Sequence, residues 1–277
     1  MPEPFSIPGT TAVVTGAAGG IGRALAERLL REGAARVVVS DLDPDRVAET
    51  AARLGGRAHP LALDVSDEAA VRAAVERIEV EHGPIDLWCS NAGIAAGRGL
   101  GDDADWDVSW RVHVLAHVYA VRALFPRMAE RGRGHLLITA SAAGLLTQLD
   151  SAPYSATKHG AVALAEWLAI RHADDGIGVS CLCPQGVNTA MTAGDDGTSA
   201  TRLGGDYIEP EDVAESVVAA LHDGRFLILP HPEAADYERN RANDRDRWIG
   251  GMRKAWARIR GAAPRSGTGA AGAAERS

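Results

Sequence analysis

Short runs of aliphatic and β-branched residues return along this chain, and a helix-length segment separates nearly every pair. The runs are TAVVT (11–15), VVVS (37–40), AHPLALDV (58–65), IDLWCS (85–90), HLLIT (135–139), VSCLCP (179–184) and FLILP (226–230). Continuous apolar runs belong to strands covered on both faces, and long crossovers between them demand a parallel sheet. Right-handed crossovers then give an α/β fold: a doubly wound sheet of seven parallel strands with helices on both faces. The pattern runs without a linker to about Pro230, so residues 1–232 are expected to form one domain. A chain of 277 residues, 46% hydrophobic, can fill such a core.

In such sheets ligands bind beyond the carboxyl ends of the strands. The first end carries TGAAGGIG, Thr15 to Gly22. Glycines there permit a tight turn and let a pyrophosphate reach backbone N–H groups at a helix N-terminus. The spacing of Gly16, Gly20 and Gly22 is not the commonest dinucleotide pattern, and a glycine turn alone does not require a nucleotide. Asp41 ends the second strand, with Leu42 beside it. A carboxylate there can accept hydrogen bonds from the adenosine ribose and repels a 2′-phosphate, while Gly19 offers no basic side chain for that phosphate. The pair of features favours NAD over NADP. The other reading of Asp41 is a helix cap or turn residue before Pro44.

YSATK (154–158) sets a phenol and an amine one helical turn apart. A nearby ammonium favours the phenolate, so Tyr154 and Lys158 can form a tuned acid/base. They can equally be an exposed pair on a helix surface.

With TGAAGGIG, DV (64–65), SNAG (90–93), TASAAG (139–144), YSATK and PQGVNT (184–189), the chain resembles the short-chain dehydrogenase/reductase family, in its compact single-domain branch. The likeness runs from about Thr11 to Pro230. It implies a Rossmann-type, NAD-binding catalytic domain. Gly16, Gly20, Ile21 and Gly22 would line the pyrophosphate, and Asp64 and Val65 the adenine. Asn91, Ala92 and Gly93 would border the cofactor after the fourth strand. Pro184, Gly186, Val187 and Thr189 would embrace the nicotinamide end. Ser141 would hold the substrate oxygen, Tyr154 would exchange its proton, and Lys158 would bind the nicotinamide ribose and lower the phenol's pKa. The implied substrate is a ketone or secondary alcohol, and the implied assembly a homodimer or tetramer; the other readings are a catalytically weak NAD-binding regulatory protein and a C=C reductase or dehydratase of the same fold.

One position departs from the family pattern. VHVLAH (112–117) places His113 where the family usually has an asparagine. A histidine there can exchange protons near pH 7, or it can simply pack. His113 and His117 also have metal-ligand spacing, but no carboxylate lies between them and no metal is expected. Cys181 and Cys183 alternate on one strand and are expected to be small buried residues. Trp106 and Trp110, one turn apart, suit a core or an interface.

The likeness makes 189–207 a substrate lid, with Met191, Leu203 and Tyr207 covering a moderately hydrophobic substrate and Leu145 to Leu149 facing them. Beyond Pro230, Trp248, Ile249, Met252, Trp256 and Ile259 recur at helical spacing, so 233–261 is expected to be a C-terminal helical extension. The small, polar 262–277 segment is expected to be a disordered tail. A formal charge of −8 argues against general nucleic-acid binding. No signal peptide or membrane span is legible, and three cysteines without a disulfide framework fit a cytoplasmic protein.

Overall fold

The computed structural model describes residues 4–193 and 205–262, with side chains described to residue 259. Seven parallel strands form one sheet in the order β3-β2-β1-β4-β5-β6-β7. They are β1 (Thr11–Thr15), β2 (Arg36–Asp41), β3 (Ala58–Ala62), β4 (Leu87–Ser90), β5 (Gly134–Thr139), β6 (Ile177–Leu182) and β7 (Leu227–Ile228). The third is shorter than its apolar run because the Asp64 carboxylate accepts from the Ser66 N–H at 2.8 Å and turns the chain.

Side chains alternate between two cores, one on each face, as the period of a strand requires. On β1, Ala12 and Val14 enter one core and Val13 the other; on β5, Leu137 enters the first and Leu136 and Ile138 the second. The first core is closed by α1 (Gly20–Arg31), α2 (Pro44–Leu54) and α8 (Pro210–Asp223). The second is closed by α3 (Glu68–His82), α5 (Ala116–Glu130) and α7 (Ala152–Arg171). Cys181 and Cys183 both face this second core, with sulfur atoms 3.8 Å apart.

Local chemistry sets the helix starts. Asp43 caps α2, Asp67 caps α3 and Ser151 caps α7, each accepting from backbone N–H groups of the first turn. Asp43, not Asp41, is the cap beside Pro44, so Asp41 is free for another task. Between α4 (Asp103–Trp110) and α5 the chain makes a π-helical turn, Arg111–Leu115, centred on His113. The short α6 (Ala143–Leu146) packs on α7, where a Cβ on Gly144 would lie 2.5 Å from the Lys158 carbonyl oxygen.

Beyond β7 come α9 (Ala234–Asn243) and α10 (Arg245–Ala262). α9 packs on α6, and α10 packs on α9. Trp248, Met252, Trp256 and Ile259 share the half-buried face of α10, and Ile249 is exposed at its edge. Among the described residues no helix is long and apolar enough to cross a membrane. The expected tail from 263 onward lies outside the described residues.

Candidate active site

The carboxyl ends of β1, β4 and β5 are tied together by polar groups of the chain itself. Thr15 Oγ accepts from the N–H groups of Asn91 (2.9 Å) and Ala92 (3.0 Å) and donates to the Cys89 carbonyl (3.3 Å). That saturates one hydroxyl. The Asn91 amide donates to the Thr15 carbonyl (3.0 Å) and accepts from Thr139 Oγ (3.1 Å). The Thr139 carbonyl in turn accepts from Lys158 Nζ at 3.0 Å.

This knot presses the glycine turn against the loop after β4. Gly16 has φ of +68°, and a Cβ there would lie 2.9 Å from Ala92 Cα. A Cβ on Gly22 would collide with the Gly16 carbonyl oxygen. Larger residues at either place would push the strand and helix apart. α1 begins at Gly20 with no side-chain cap, so its first N–H groups remain available to an outside acceptor. Gly20, Arg23, Asn188, Thr189 and Pro210 line a cavity of ≈ 360 Å³ in front of them. Backbone donors, a guanidinium and space for no side chain form a cradle that can hold a diphosphate.

Asp41 completes the cradle. Its carboxylate accepts from the Ala18 N–H (3.0 Å) and the Leu42 N–H (2.8 Å), leaving lone pairs for further donors. Arg46 donates to the Ala18 carbonyl at 3.4 Å, with its guanidinium 3.4 Å from where a Gly19 Cβ would be. A basic group therefore does stand beside Gly19, supplied by α2 and not by the turn. Asp64 is bonded to Ser66 at the end of β3, one strand further out, with Val65 beside it.

Tyr154 and Lys158 are not an exposed surface pair. Tyr154 is half-buried beside Ser141, and Lys158 is 3% exposed. Burial raises the phenol's pKa and the Ser141 hydrogen bond opposes the rise. Burial lowers Lys158 to about 8, with Cys183 and Cys181 acting the other way. The ammonium lies 5.7 Å from the Tyr154 ring centroid. Burial is the largest influence on the phenol in this structure. Ser141 is held by donating to the Pro184 carbonyl (3.5 Å) and accepting from the Ala143 N–H (3.1 Å).

His113 is fully buried, and both its nitrogens are engaged. Nε2 accepts from the Ile94 N–H at 3.1 Å, which fixes the proton on Nδ1. Nδ1–H then donates to Thr157 Oγ (2.9 Å), which donates to the Pro153 carbonyl (2.7 Å). Burial, then the Lys158 and His117 charges, lower its pKa to about 2. Both nitrogens are thus engaged within the chain, and the ring fastens the loop after β4 to α7. His117 bonds Ser90 Oγ at 2.6 Å through Nδ1. Among the described residues no group of three or more His, Cys, Asp or Glu side chains is close enough to hold a metal.

The three expected substrate residues do not form one wall. Tyr207 packs on Gly186, and Met191 is 50% exposed beyond Thr189. Leu149 lines a separate cavity of ≈ 560 Å³ with Leu100, Trp106, Ala156 and His159. That cavity meets a face of α7 turned away from the Tyr154 and Lys158 face. Leu203 and the rest of 194–204 lie outside the described residues. Sequence reasoning missed Thr15, Thr139, Arg23 and Arg46, which act through hydroxyls or guanidinium groups at strand ends and helix starts. The position of Thr15 and Thr139 as last residues of their strands was the available signal.

A family model described as short chain dehydrogenase matches residues 10–199. The 1-deoxy-11-beta-hydroxypentalenate dehydrogenase of Streptomyces exfoliatus is 37% identical over 246 residues, covering 84% of this chain and 87% of that one. The 17-beta-hydroxysteroid dehydrogenase 13 of Rattus norvegicus is 32% identical over 232 residues, covering 81% and 75%. A solved short chain dehydrogenase/reductase of Burkholderia phymatum, in complex with NAD, superposes with a TM-score of 0.79 at 31% identity, covering 87% of this chain and 96% of that one.

The buried neutral His113 has a consequence for stability. Its folded pKa lies below the unfolded value, so its contribution is fully present above about pH 6.5 and is lost as pH falls below that value. His113→Asn should therefore flatten the fall in unfolding free energy between about pH 6 and pH 4 by about 1.4 kcal/mol per pH unit. Urea unfolding at several pH values measures the slope; equal slopes in parent and variant would mean that His113 takes a proton in the folded state.

Proposed function

The chain belongs to the short-chain dehydrogenase family, and we propose that it is an NAD-dependent oxidoreductase acting on a moderately hydrophobic secondary alcohol or its ketone. The observation that carries this reading is Tyr154 standing beside Ser141 and a buried Lys158, next to a glycine cradle that excludes side chains. The uncapped start of α1, Arg23 and the carboxylate of Asp41 suit a dinucleotide, and NAD is the cofactor bound by the Burkholderia phymatum relative.

NAD supplies hydride transfer when bound. The rest falls to residues of the chain. Gly16, Gly19, Gly20, Ile21, Gly22 and Arg23 hold the diphosphate, and Asp41 with Leu42 the adenosine ribose. Asp64 and Val65 border the adenine, Asn91 to Gly93 and the Pro184–Thr189 turn the remainder. Ketone reduction builds negative charge on the substrate oxygen. Ser141 donates a hydrogen bond to that oxygen and Tyr154 delivers a proton to it. Because burial raises its pKa, the Tyr154 hydroxyl is protonated at neutral pH and ready to donate. Lys158, cationic at neutral pH, stabilises the phenolate left behind and binds the nicotinamide ribose. His113 serves as a positioning residue for α7. Residues 1–232 form the catalytic unit, and 233–261 an added helical pair.

Two of the similar proteins are named for hydroxy compounds, in keeping with an alcohol or ketone group as the reacting centre. Exposed Val108 and Trp110 on α4 and Trp167 and Ile170 on α7 form apolar ground for self-association, and the reading includes a cytoplasmic homodimer or tetramer.

Tyr154→Phe should abolish turnover across a ketone and alcohol panel, yet keep the NADH dissociation constant within about threefold, under 1 kcal/mol. An active variant, followed at the NADH absorbance, would show that the phenol carries no proton. Asp41→Asn removes the charge beside Arg46 while keeping an acceptor for the backbone. It should shift the NADPH-to-NADH ratio of kcat/KM toward NADPH by about tenfold, on the order of 1.4 kcal/mol. An unchanged ratio would remove Asp41 from the ribose site.

A further inference from the structure

We infer that His231 is a positioning residue for the cofactor: its imidazole clips the Pro184–Thr189 turn to the end of β7 and so fixes the wall against which the nicotinamide end is held. The inference rests on the reading above, in which that turn borders the cofactor. The clip itself is a matter of geometry. His231 follows the seventh strand and is 4% exposed. Its Nδ1 accepts from the Gln185 N–H at 3.2 Å, and its Nε2–H donates to the Gly186 carbonyl at 3.1 Å. A ring with one accepting and one donating nitrogen suits two successive peptide groups, and only the neutral Nε2–H tautomer satisfies both.

Other supports of the turn lie mostly further along it, where Thr192 Oγ donates to the Val187 carbonyl (2.7 Å) and accepts from the Thr189 N–H (3.1 Å). The Gly186 carbonyl also accepts from the Ile208 N–H (3.2 Å), and the Asn188 N–H donates to the Ile208 carbonyl (2.9 Å). The Gln185 side chain donates to Glu233 at 3.1 Å. On its inner side the Pro184 carbonyl meets the Ala142 N–H (2.9 Å) and Ser141 Oγ (3.5 Å). A displacement of Gln185 would therefore be felt at Ser141, which holds the substrate oxygen. The Tyr207 ring packs on Gly186, where a Cβ would overlap it.

Protonation opposes this arrangement. A proton on Nδ1 would turn the acceptor of the Gln185 N–H into a second donor facing it. Glu233 is the charged group beside the ring, and it and the Gly186 and Asp206 carbonyls favour the cation, but burial is the largest influence and the pKa is lowered. The clip is thus closed at neutral pH, and a proton taken up at lower pH opposes it. His113, His117 and His135, lowered to about 2, 3 and 4, take up protons only further down.

The test uses the full-length protein, His231→Phe and His231→Gln. Phenylalanine keeps a ring and removes both hydrogen bonds; glutamine keeps a donor and an acceptor that do not titrate. NADH affinity is measured by fluorescence titration at about pH 7.5 and about pH 5, and amide exchange is followed over residues 185–188. His231→Phe should speed that exchange and weaken NADH binding about tenfold at the higher pH. His231→Gln should bind NADH within about threefold of the parent there and lack the parent's loss of affinity in acid. Unchanged exchange in His231→Phe overturns the clip whatever the affinity does. Faster exchange with unchanged NADH affinity keeps the clip but overturns the placing of the turn at the cofactor, and with it the positioning role. Should the phenylalanine variant not fold, His231→Leu, which also removes both hydrogen bonds, takes its place with the same two readouts and the same outcomes.

Discussion

One threonine hydroxyl organises the site. Thr15 Oγ accepts from two successive N–H groups of the loop after β4, and Asn91 closes the same knot by reaching both the Thr15 carbonyl and Thr139. Parallel strands offer no hydrogen bonds beyond their last residues, so their ends would otherwise splay. Here similar links continue along the whole carboxyl edge. Ala17 and Ala18 bond back to Ser40 and Asp41 on β2, Ser141 joins β5 to the turn after β6, and His231 joins that turn to β7. Each link adds only about 1 kcal/mol net, but removing one partner leaves a buried polar group unpaired, which costs about 1–3 kcal/mol. The edge therefore holds together as a set.

The same edge explains the electrostatics. Lys158 is buried because its ammonium has the Thr139 carbonyl to meet, and β5 ends there because Thr139 is already fastened to Asn91. A buried cation tolerates no protonated neighbours. His113 and His117, the two imidazoles nearest along α5 and the turn before it, are accordingly held neutral by burial and by the lysine charge. A histidine at position 113 is thus placed as a connector between Ile94 and Thr157.

The fold was legible because periodicity records burial. Each of the seven apolar runs became a strand within a few residues, and the glycine turn, Asp41 and the Tyr154–Lys158 pair lie at strand ends or helix starts, where a parallel sheet collects chemistry. What the sequence hid depends on partners distant along the chain. Arg46 reaches Gly19 only because α2 folds back over the turn, and His231 is ordinary until β7 sets it under Gln185. Leu149, expected from the family likeness to face the substrate, lines a cavity with Leu100, Trp106, Ala156 and His159, partners that only the fold brings to it. Spacing and the family likeness pointed to Lys158 as an influence on Tyr154, whereas the burial that raises the phenol's pKa depends on the packed fold and cannot be read from spacing.

If the cofactor cradle is preformed by the knot at Thr15, removing that hydroxyl while keeping its shape should weaken NADH binding in a protein that still folds. Isothermal titration of Thr15→Val with NADH, beside its urea unfolding curve, measures both. The expected result is a dissociation constant about tenfold weaker or more, with the fold kept and stability lowered by about 1–3 kcal/mol. A variant that binds NADH as tightly as the parent would contradict the account at its base.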